Sequence, residues 1–303
     1  MRLITRTDFD GLICSTLLKY LGLVDDWKFI HPKDVQDGLV EANDNDIVVN
    51  VPYIKGCKLW FDHHSSEKER LGSNFQFEGL SKTAPSCARV IYEYYGGDEK
   101  LGKFAELVKY ADKMDSADLT VDEITHPSGW VLLGFLVDPR TGLGRIRTFT
   151  VSNFELLKTL ARLSLDKSIE EILELPDVRE RIDVYYEQQT RFISEVKKRA
   201  TVNGNVVIVD LRNVDSIPAG NRFLLYTLFP EQNISVVIVD GKQKLNSVVT
   251  VGYSIVNKTA TVDVGSLMLK YGGGGHKTVG TCQIPNDNIK NVLTEIIDSI
   301  KTE

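Results

Sequence analysis

Short apolar runs alternate with amphipathic helical patterns along the first half of the chain. The apolar runs have the length of β-strands and lie at residues 2–5, 27–30, 46–51 and 58–61. Apolar positions at helical spacing predict helices at residues 12–21, 84–95 and 101–114. Because alternating strands and helices build parallel sheets, this half is predicted to be a mainly parallel α/β domain.

A long charged segment separates this half from a second series of strands and helices. Residues 169–200 have a helical pattern without glycine, and Pro176 suits the start of a helix. Strand-like and helix-like runs resume at residues 206–211, 223–228, 234–239 and 248–254. We therefore expect a two-domain α/β protein with a first domain at 1–185, a helical connector at 186–204 and a smaller α/β domain at 205–303.

The composition is that of a globular enzyme. With 303 residues, 42% hydrophobic and 26% charged, the chain is long enough for one large or two medium domains. A net charge of −6 argues against binding long nucleic acid, which needs a basic face. A small anionic substrate, such as a phosphate compound or a short oligonucleotide, can still bind in a local basic pocket.

The chain carries no sign of a membrane or secreted protein. No apolar run reaches membrane-spanning length, and the first residues lack the apolar segment of a signal peptide. The four cysteines form no Cys-x-x-Cys pair, which favours reduced thiols. We expect a cytoplasmic protein without a membrane partner, and the sequence leaves open whether it forms a homodimer.

Acidic and amide side chains directly follow several predicted strands. Asp8 and Asp10 come after the first strand, Asn50 after the third, and Asp62 with His63 after the fourth. Since ligands gather at the carboxyl ends of parallel strands, these residues are expected to converge. Hard oxygen ligands suit Mg²⁺ or Mn²⁺. The alternative for the Asp-x-Asp-Gly segment alone is a turn or a helix N-cap.

His63 and His64 form a pair in a chain that has only five histidines. Adjacent residues of a strand point in opposite directions, so one imidazole is expected to bind metal while the other faces substrate. The alternative is a buried histidine pair with a structural role. Asp112 and Asp115 lie three residues apart and share a helical face, so either could complete the metal site or solvate the helix end.

Four consecutive glycines, at residues 272–275, precede His276. A flexible linker is the alternative reading, but a helix-like run at 264–271 precedes them and a strand-like run at 281–284 follows. Glycines between ordered elements indicate that the backbone can approach a ligand closely, with amides that can bind phosphate oxygens. His276 would then donate to a phosphate or act as an acid.

Taken together, Asp8-Phe9-Asp10, Asp62-His63-His64 and the Gly-Gly-Gly-His segment resemble the DHH phosphoesterase family. The resemblance covers nearly the whole chain, with the DHH domain first and the DHH-associated domain second. It is greatest for the exopolyphosphatase-related subgroup. It implies hydrolysis of a phosphoester or phosphoanhydride in a cleft between the domains, with Mn²⁺ or Mg²⁺ as cofactor.

The resemblance also implies roles for individual residues. Asp8, Asp10 and His63 would be metal ligands, and His64 a residue on the substrate side. Asp112 takes the place of the family's later aspartate, with Asp115 as the rival assignment. The second domain would contact substrate through Gly273, Gly274, Gly275 and His276.

Two residues depart from the family pattern. Arg6 stands where the family has a histidine ligand, and Asn50 where it has an aspartate that bridges two metals. A guanidinium has no lone pair to donate, and a neutral amide bridges two cations poorly. Asp8, Asp10 and Asp112 carry −3 and Arg6 brings the total to −2, which matches one divalent ion. Arg6 would then neutralise a phosphate or bind Asp8.

Substrate identity stays open among short oligonucleotides, nucleoside phosphates and polyphosphate. Arginines suit bidentate phosphate contacts, and the candidates are Arg140, Arg145, Arg147 and Arg222. The intact Asp62-His63-His64 and glycine motifs favour an enzyme. The rival hypothesis, favoured by Arg6 and Asn50, is a non-enzymatic nucleotide- or phosphate-binding protein with a degenerate site.

Overall fold

The computed structural model describes residues 1–64, 67, 70–72 and 75–301. The chain divides into two compact units, each with its own sheet. Unit 1 comprises Met1–Leu119 and Pro127–Tyr185, and unit 2 comprises Thr120–His126 and Tyr186–Glu303, of which residues 302 and 303 lie outside the described part. The predicted α/β fold class is confirmed.

Unit 1 is built on a parallel sheet with the strand order β2-β1-β3-β4-β5. Its strands are β1 Arg2–Thr5, β2 Asp26–Phe29, β3 Asp46–Val49, β4 Leu59–Asp62 and β5 Gly79–Ser81. The central strands are continuously apolar because both faces of a parallel sheet are covered by helices. Each of the strands predicted in this half is present, and β5 is an addition.

The structure contains helices at each of the positions predicted from the sequence, and it adds others, including two of 11 and 12 residues. They are α1 Phe9–Tyr20, α2 Pro32–Gln36, α3 Cys87–Tyr94, α4 Gly97–Leu101, α5 Ala105–Asp115, α6 Val121–Thr125, α7 Gly129–Val137, α8 Asn153–Leu163, α9 Ile169–Leu173, α10 Pro176–Arg199, α11 Leu224–Leu228, α12 Val264–Leu269 and α13 Ile289–Ile300. Short 3₁₀ turns lie at Gly102–Phe104, Pro139–Thr141, Leu143–Arg145 and Lys242–Lys244. In unit 1, α1 packs against α3 and α5 and is buried along most of its length.

Unit 2 contains a mixed sheet with the order β10-β11-β9-β8-β7-β6. Its strands are β6 Ala200–Asn203, β7 Val206–Asp210, β8 Ile234–Asp240, β9 Asn246–Tyr253, β10 Gly274–His276 and β11 Val279–Pro285. Only the β7–β8 pair is parallel among these strands. Val236, Val249 and Met268 are fully buried in its core, which α12 and α13 help to form.

The charged segment predicted to be helical forms α10, which begins at Pro176 as expected. The range expected to be a connector, 186–204, contains the second part of α10 and also β6, which pairs with β7. Within the described residues, no helix combines the length and the apolar character needed to cross a bilayer.

Candidate metal and phosphate site

The candidate site of unit 1 lies where β1, β3 and β4 end. Asp8 follows β1, Asn50 follows β3 and His63 follows β4, all at the carboxyl edge of the parallel sheet. The Asn50 side chain donates a 3.2 Å hydrogen bond from Nδ2 to Oδ1 of Asp8, which joins two of these strand ends. Residues far apart in the sequence therefore converge at this edge.

Asp8 is held by the start of α1 and by Arg6. It is the N-cap of α1, and its Oδ1 accepts a 2.9 Å hydrogen bond from the amide of Gly11. A Cβ at Gly11 would lie 2.4 Å from the Arg6 carbonyl oxygen, so the turn requires glycine. The Arg6 Nε lies 3.0 Å from Oδ2 of Asp8, at ion-pair distance but without hydrogen-bond geometry. Arg6 therefore neutralises the Asp8 carboxylate.

Two backbone amides orient the carboxylate of Asp10. Cys87 N donates to Oδ2 at 2.9 Å and Ala88 N donates to Oδ1 at 2.8 Å, and these are the first two residues of α3. Amides at a helix N-terminus favour negative charge. Burial, followed by the charge of Asp115, nonetheless raises the pKa of Asp10 to about 7. A cation beside Asp10 would offset this cost and favour its charged form.

The tautomer of His63 follows from its surroundings. Its Nδ1 lies 3.1 Å from the carbonyl oxygen of Ala84, which can only accept, so Nδ1 carries the proton. In the neutral ring the lone pair is therefore on Nε2, the atom that lies 3.2 Å from Oδ2 of Asp115 and 3.9 Å from Oδ2 of Asp10. A backbone carbonyl on the remote nitrogen is a common arrangement for a metal-binding histidine.

Asp10, His63 and Asp115 form a cluster with the spacing of a metal site. Their ligand atoms lie within 4.8 Å of one another, and no other such group of acidic, histidine or cysteine residues occurs in the described ranges. Asp112 lies outside this cluster and is paired with Arg89, whose Nη2 is 2.6 Å from its Oδ2. The structure thus brings Asp115, and not Asp112, next to His63.

Buried polar atoms without a hydrogen-bond partner are concentrated here within the described part of the chain. They include Thr5 Oγ1, Asp8 Oδ2, Asn50 Oδ1 and His63 Nε2. Such atoms are costly to bury unless water or an ion binds them. The oxygen and imidazole donors therefore fit a divalent cation such as Mn²⁺ or Mg²⁺. Thr5 was missed in the sequence, where a hydroxyl at the end of a strand has no distinctive pattern.

Asn50 is fully buried and adopts a left-handed φ of 57°, which asparagine tolerates better than most residues. Its Nδ2 is committed to Asp8, so its Oδ1 is the atom without a hydrogen-bond partner. Asn50 thereby presents a neutral oxygen at the position where the family resemblance has a carboxylate.

His64 is oriented by Asp62. Its Nδ1 lies 2.8 Å from Oδ1 of Asp62, which is fully buried at the end of β4. Its ring is 4.3 Å from that of His63, measured between centroids. Burial lowers the pKa of His64, but the hydrogen bond and charge of Asp62, together with the charge of Asp115, outweigh burial and raise it. A carboxylate that accepts a hydrogen bond from one ring nitrogen, as Asp62 does from Nδ1 of His64, sets the tautomer and orientation of the ring.

The candidate arginines occupy different environments. Arg140 donates from Nε to Oδ1 of Asp138 at 2.8 Å, and its side chain is 43% exposed. Burial opposes its charge, but the charges of Asp138, Asp8 and Asp115 raise the pKa of Arg140. Arg140 therefore lies within electrostatic reach of the acidic cluster.

The other three arginines are less closely tied to that cluster. The guanidinium of Arg145 lies against Gly142, so close that its Nη2 would be 2.2 Å from a Cβ added at Gly142. Gly142 itself has a left-handed φ of +89°. Arg147 is exposed. Arg222 belongs to unit 2, where its Cζ lies 4.2 Å from the ring centroid of Phe223.

The glycine run of unit 2 forms part of an edge strand. Gly274 begins β10, which pairs with β11 on one side only. A Cβ at Gly273 would lie 2.2 Å from the Thr281 carbonyl oxygen, and Gly275 has a φ of +155°. A Cβ at Gly274 would meet only Leu269 Cδ2, at 3.9 Å. Packing against the facing strand thus explains the glycines at 273 and 275, the latter together with its backbone conformation. Neither reason applies to the glycine at 274. His276, at the end of β10, is exposed.

Comparison with solved structures gives clear similarities. The pGpG-specific phosphodiesterase PggH from Vibrio cholerae is 43% identical, covers 99% of this chain and 98% of its own, and superposes with a TM-score of 0.81. An exopolyphosphatase-related protein from Bacteroides fragilis is 11% identical over 98% of this chain and 91% of its own, with a TM-score of 0.53.

RecJ from Thermus thermophilus in complex with Mn²⁺ is 16% identical over 97% of this chain and 51% of its own, with a TM-score of 0.57. At this identity the likeness shows a shared fold alone. A scan of family models finds no match to the chain. A search of curated proteins likewise returns no match.

Proposed function

Because the chain belongs to the DHH family of phosphoesterases and hydrolyses phosphoester bonds of small substrates, we propose that its substrate is the linear dinucleotide pGpG. The observation that carries this proposal is the 43% identity to a pGpG-specific phosphodiesterase over nearly the whole of both chains. The net charge of −6 also favours a short substrate over long nucleic acid. The prediction of a phosphoester hydrolase is confirmed, and the non-enzymatic alternative is not retained.

The proposed metal site consists of Asp10, His63 and Asp115, with the Asn50 side-chain oxygen beside them. Support comes from the 4.8 Å spacing of the first three and from the two lone-pair atoms, His63 Nε2 and Asn50 Oδ1, that lack hydrogen bonds. A divalent ion held there would lower the pKa of water and stabilise negative charge that develops on the phosphoryl oxygens. Mn²⁺ and Mg²⁺ are both compatible with these donors.

The site has the charge for one divalent ion. Asp10 and Asp115 contribute −2, whereas the charge of Asp8 is cancelled by Arg6 at 3.0 Å. Asn50 adds an oxygen without charge. The proposed arrangement therefore contains a single ion, with the Arg6 guanidinium as a fixed cation beside it.

The chain's own side chains supply the remaining chemistry. Arg6, which is 20% exposed, is placed to neutralise a phosphate that binds near Asp8. Arg140 carries a second positive charge within reach of the same cluster. The fully buried Asp62 accepts from Nδ1 of His64 and raises the pKa of the imidazole, so the protonated ring can give its Nε2 proton to the leaving oxygen when the P–O bond breaks.

The roles predicted for unit 2 are retained as part of the proposal. Gly274 is supported by its position on an edge strand and by the open space around it, and His276 by its exposure on the same strand. Arg222 and Arg145 remain candidate phosphate contacts, since arginine can bind phosphate through two parallel hydrogen bonds. Gly273 and Gly275 shape the strand that carries Gly274.

The decisive experiment is a substrate comparison with purified protein. After removal of metal with EDTA, pGpG, a longer oligonucleotide, a nucleoside bisphosphate and polyphosphate are each incubated with Mn²⁺, Mg²⁺ or no metal. Anion-exchange chromatography should show GMP from pGpG only when metal is restored, with a kcat/KM at least tenfold above that for the other substrates. Equal or faster hydrolysis of polyphosphate or of the longer oligonucleotide would contradict the proposed substrate. The Asp115→Ala variant serves as the inactive control.

A further inference from the structure

Asp112 uses both of its carboxylate oxygens in contacts with α3. Its Oδ2 accepts from Arg89 Nη2 at 2.6 Å and from Arg89 Nε at 3.0 Å. Its Oδ1 accepts a 2.7 Å hydrogen bond from the hydroxyl of Ser86. Asp112 therefore joins α5, where it lies, to the first turn of α3.

Ser86 is the N-cap of α3 and is fully buried. Its Oγ accepts a 3.0 Å hydrogen bond from the amide of Arg89 while its proton goes to Asp112. A hydroxyl has one proton to give, so the bond to Asp112 determines which way the Ser86 side chain turns. The cap and the ion pair thus restrain the same turn of helix.

That turn holds Asp10, because the two amides that directly follow the cap, of Cys87 and Ala88, donate to its two oxygens. A shift of the first turn of α3 would rotate or release the carboxylate of Asp10. A continuous set of contacts therefore runs from Asp112 through Ser86 to the backbone that fixes Asp10.

We propose that Asp112, with Ser86 and Arg89, is a positioning residue that orients Asp10 for metal binding and is not itself a metal ligand. This rests on the metal site proposed above. Partners that orient a ligand typically change metal affinity by about 10–100-fold when removed. A ligand whose removal leaves the ion with too few donors has a larger effect.

The test is calorimetric titration of Mn²⁺ into the metal-free full chain. Asp112→Ala and Ser86→Ala should each weaken binding by about 10–100-fold with unchanged stoichiometry, whereas Asp115→Ala should abolish it. The matched control is Glu195→Ala, because Glu195 and Arg199 form another partly exposed arginine–carboxylate pair, at 2.9 Å, in α10. It should leave Mn²⁺ affinity unchanged.

Kinetics provide a second readout. In the Asp112→Ala variant the Mn²⁺ concentration for half-maximal rate should rise about 10–100-fold, while kcat at saturating Mn²⁺ stays within about threefold of wild type. The double variant Ser86→Ala/Asp112→Ala should be little worse than either single variant, since both act on one turn of helix. Asp112→Asn keeps an oxygen for Ser86 but loses the ion pair, so it replaces Asp112→Ala if circular dichroism shows that the latter is unfolded.

The outcomes distinguish a failure of the role proposed for Asp112 from a failure of the proposed metal site. If Asp112→Ala abolishes binding as Asp115→Ala does, Asp112 is a ligand and the inference is overturned. If it binds Mn²⁺ like wild type, the ion pair has no part in orienting Asp10. If wild type itself binds no Mn²⁺, the proposed metal site fails and this inference with it.

Discussion

The guanidinium of Arg6 lies against the carboxylate of Asp8, with 3.0 Å between Nε and Oδ2. The family resemblance makes Asp8 a metal ligand, but in this chain the positive charge of Arg6 lies next to its carboxylate. Asn50 donates to the other oxygen of the same carboxylate at 3.2 Å. Both departures from the family pattern thus contact one residue, Asp8, which for this reason is not a metal ligand in the proposed site.

Restoring both family residues should create a second metal site. The double variant Arg6→His/Asn50→Asp removes the guanidinium and adds a carboxylate, which changes the local charge by two units in favour of a second cation. We expect the Mn²⁺ stoichiometry measured by calorimetry to rise from about one to about two ions per chain. Aspartate tolerates the left-handed φ of 57° at position 50 better than most residues.

Two single variants control for this change. Asn50→Asp alone leaves Arg6 in place and should bind one ion, as should Arg6→Gln. Two ions bound by the wild-type protein would show that Arg6 does not exclude the second ion. A rise in kcat with the second ion would mean that the natural residues limit the rate, and a fall would show that Arg6 has its own role in catalysis.

Arg140 is expected to contribute to substrate binding through its charge. Arg140→Gln should raise KM for pGpG about tenfold, equivalent to about 1.4 kcal/mol, and change kcat much less. Arg147→Gln removes a charge from an exposed residue nearby in sequence and serves as the control. Steady-state kinetics at 50 and 300 mM salt separate a specific contact from general attraction, because only the latter is strongly screened. Equal effects of the two substitutions would count against a role for Arg140.

An ion pair at the opposite end of the sheet should make stability depend on pH. Burial opposes the charge of Asp46, but hydrogen bonds from Arg2 and from the amide of Asn43 outweigh it and lower the pKa of Asp46. Because its folded pKa lies below the unfolded value of about 3.9, its contribution is present above pH 4 and is lost as pH falls through the folded pKa.

The Asp46→Asn variant checks this dependence. It should lower the free energy of unfolding by about 1–3 kcal/mol at pH 7, and the difference from wild type should shrink below pH 4. Urea denaturation at pH 7, 5 and 3 measures it. Asp25→Asn, at a residue whose side chain is 76% exposed, should leave the midpoint unchanged. A difference that persists at pH 3 would show that packing, and not charge, is responsible.

The alternation of apolar runs was enough to predict the strands of unit 1 and the edge at which Asp8, Asn50 and His63 meet. Local sequence pattern carries this information because the central strands of a parallel sheet are buried on both faces and are therefore continuously apolar. The choice between Asp112 and Asp115 could not be made in this way. Both are on α5, and it is Arg89 and Ser86, 23 and 26 residues away in sequence, that pair with Asp112.

The glycine run shows a similar limit. The sequence predicts a helix before the run and a strand after it, and α12 and β11 flank it as predicted. The sequence pattern does not show that β10 begins within the run at Gly274, or that the individual glycines differ. Those differences depend on neighbours across the sheet, such as Thr281 against Gly273.

Gly274 offers a test of the glycine run in which folding and function can be separated. A Cβ there meets only Leu269 Cδ2 at 3.9 Å, and Gly274 is not among the glycines with a left-handed φ. Gly274→Ala should therefore leave the melting temperature within about 2 °C of wild type. If the backbone at this position approaches a substrate phosphate, the added methyl group should raise KM for pGpG at least tenfold.

Gly273→Ala is the matched control, because its Cβ would lie 2.2 Å from the Thr281 carbonyl oxygen and must disturb the pairing of β10 with β11. It should lower the melting temperature as well as activity. Mn²⁺ affinity of Gly274→Ala, measured by calorimetry, should match wild type, since all the proposed ligands belong to unit 1. Unchanged kinetics in a folded Gly274→Ala protein would mean that the run serves only the structure of unit 2, whereas lost Mn²⁺ binding would show that the metal site extends beyond unit 1.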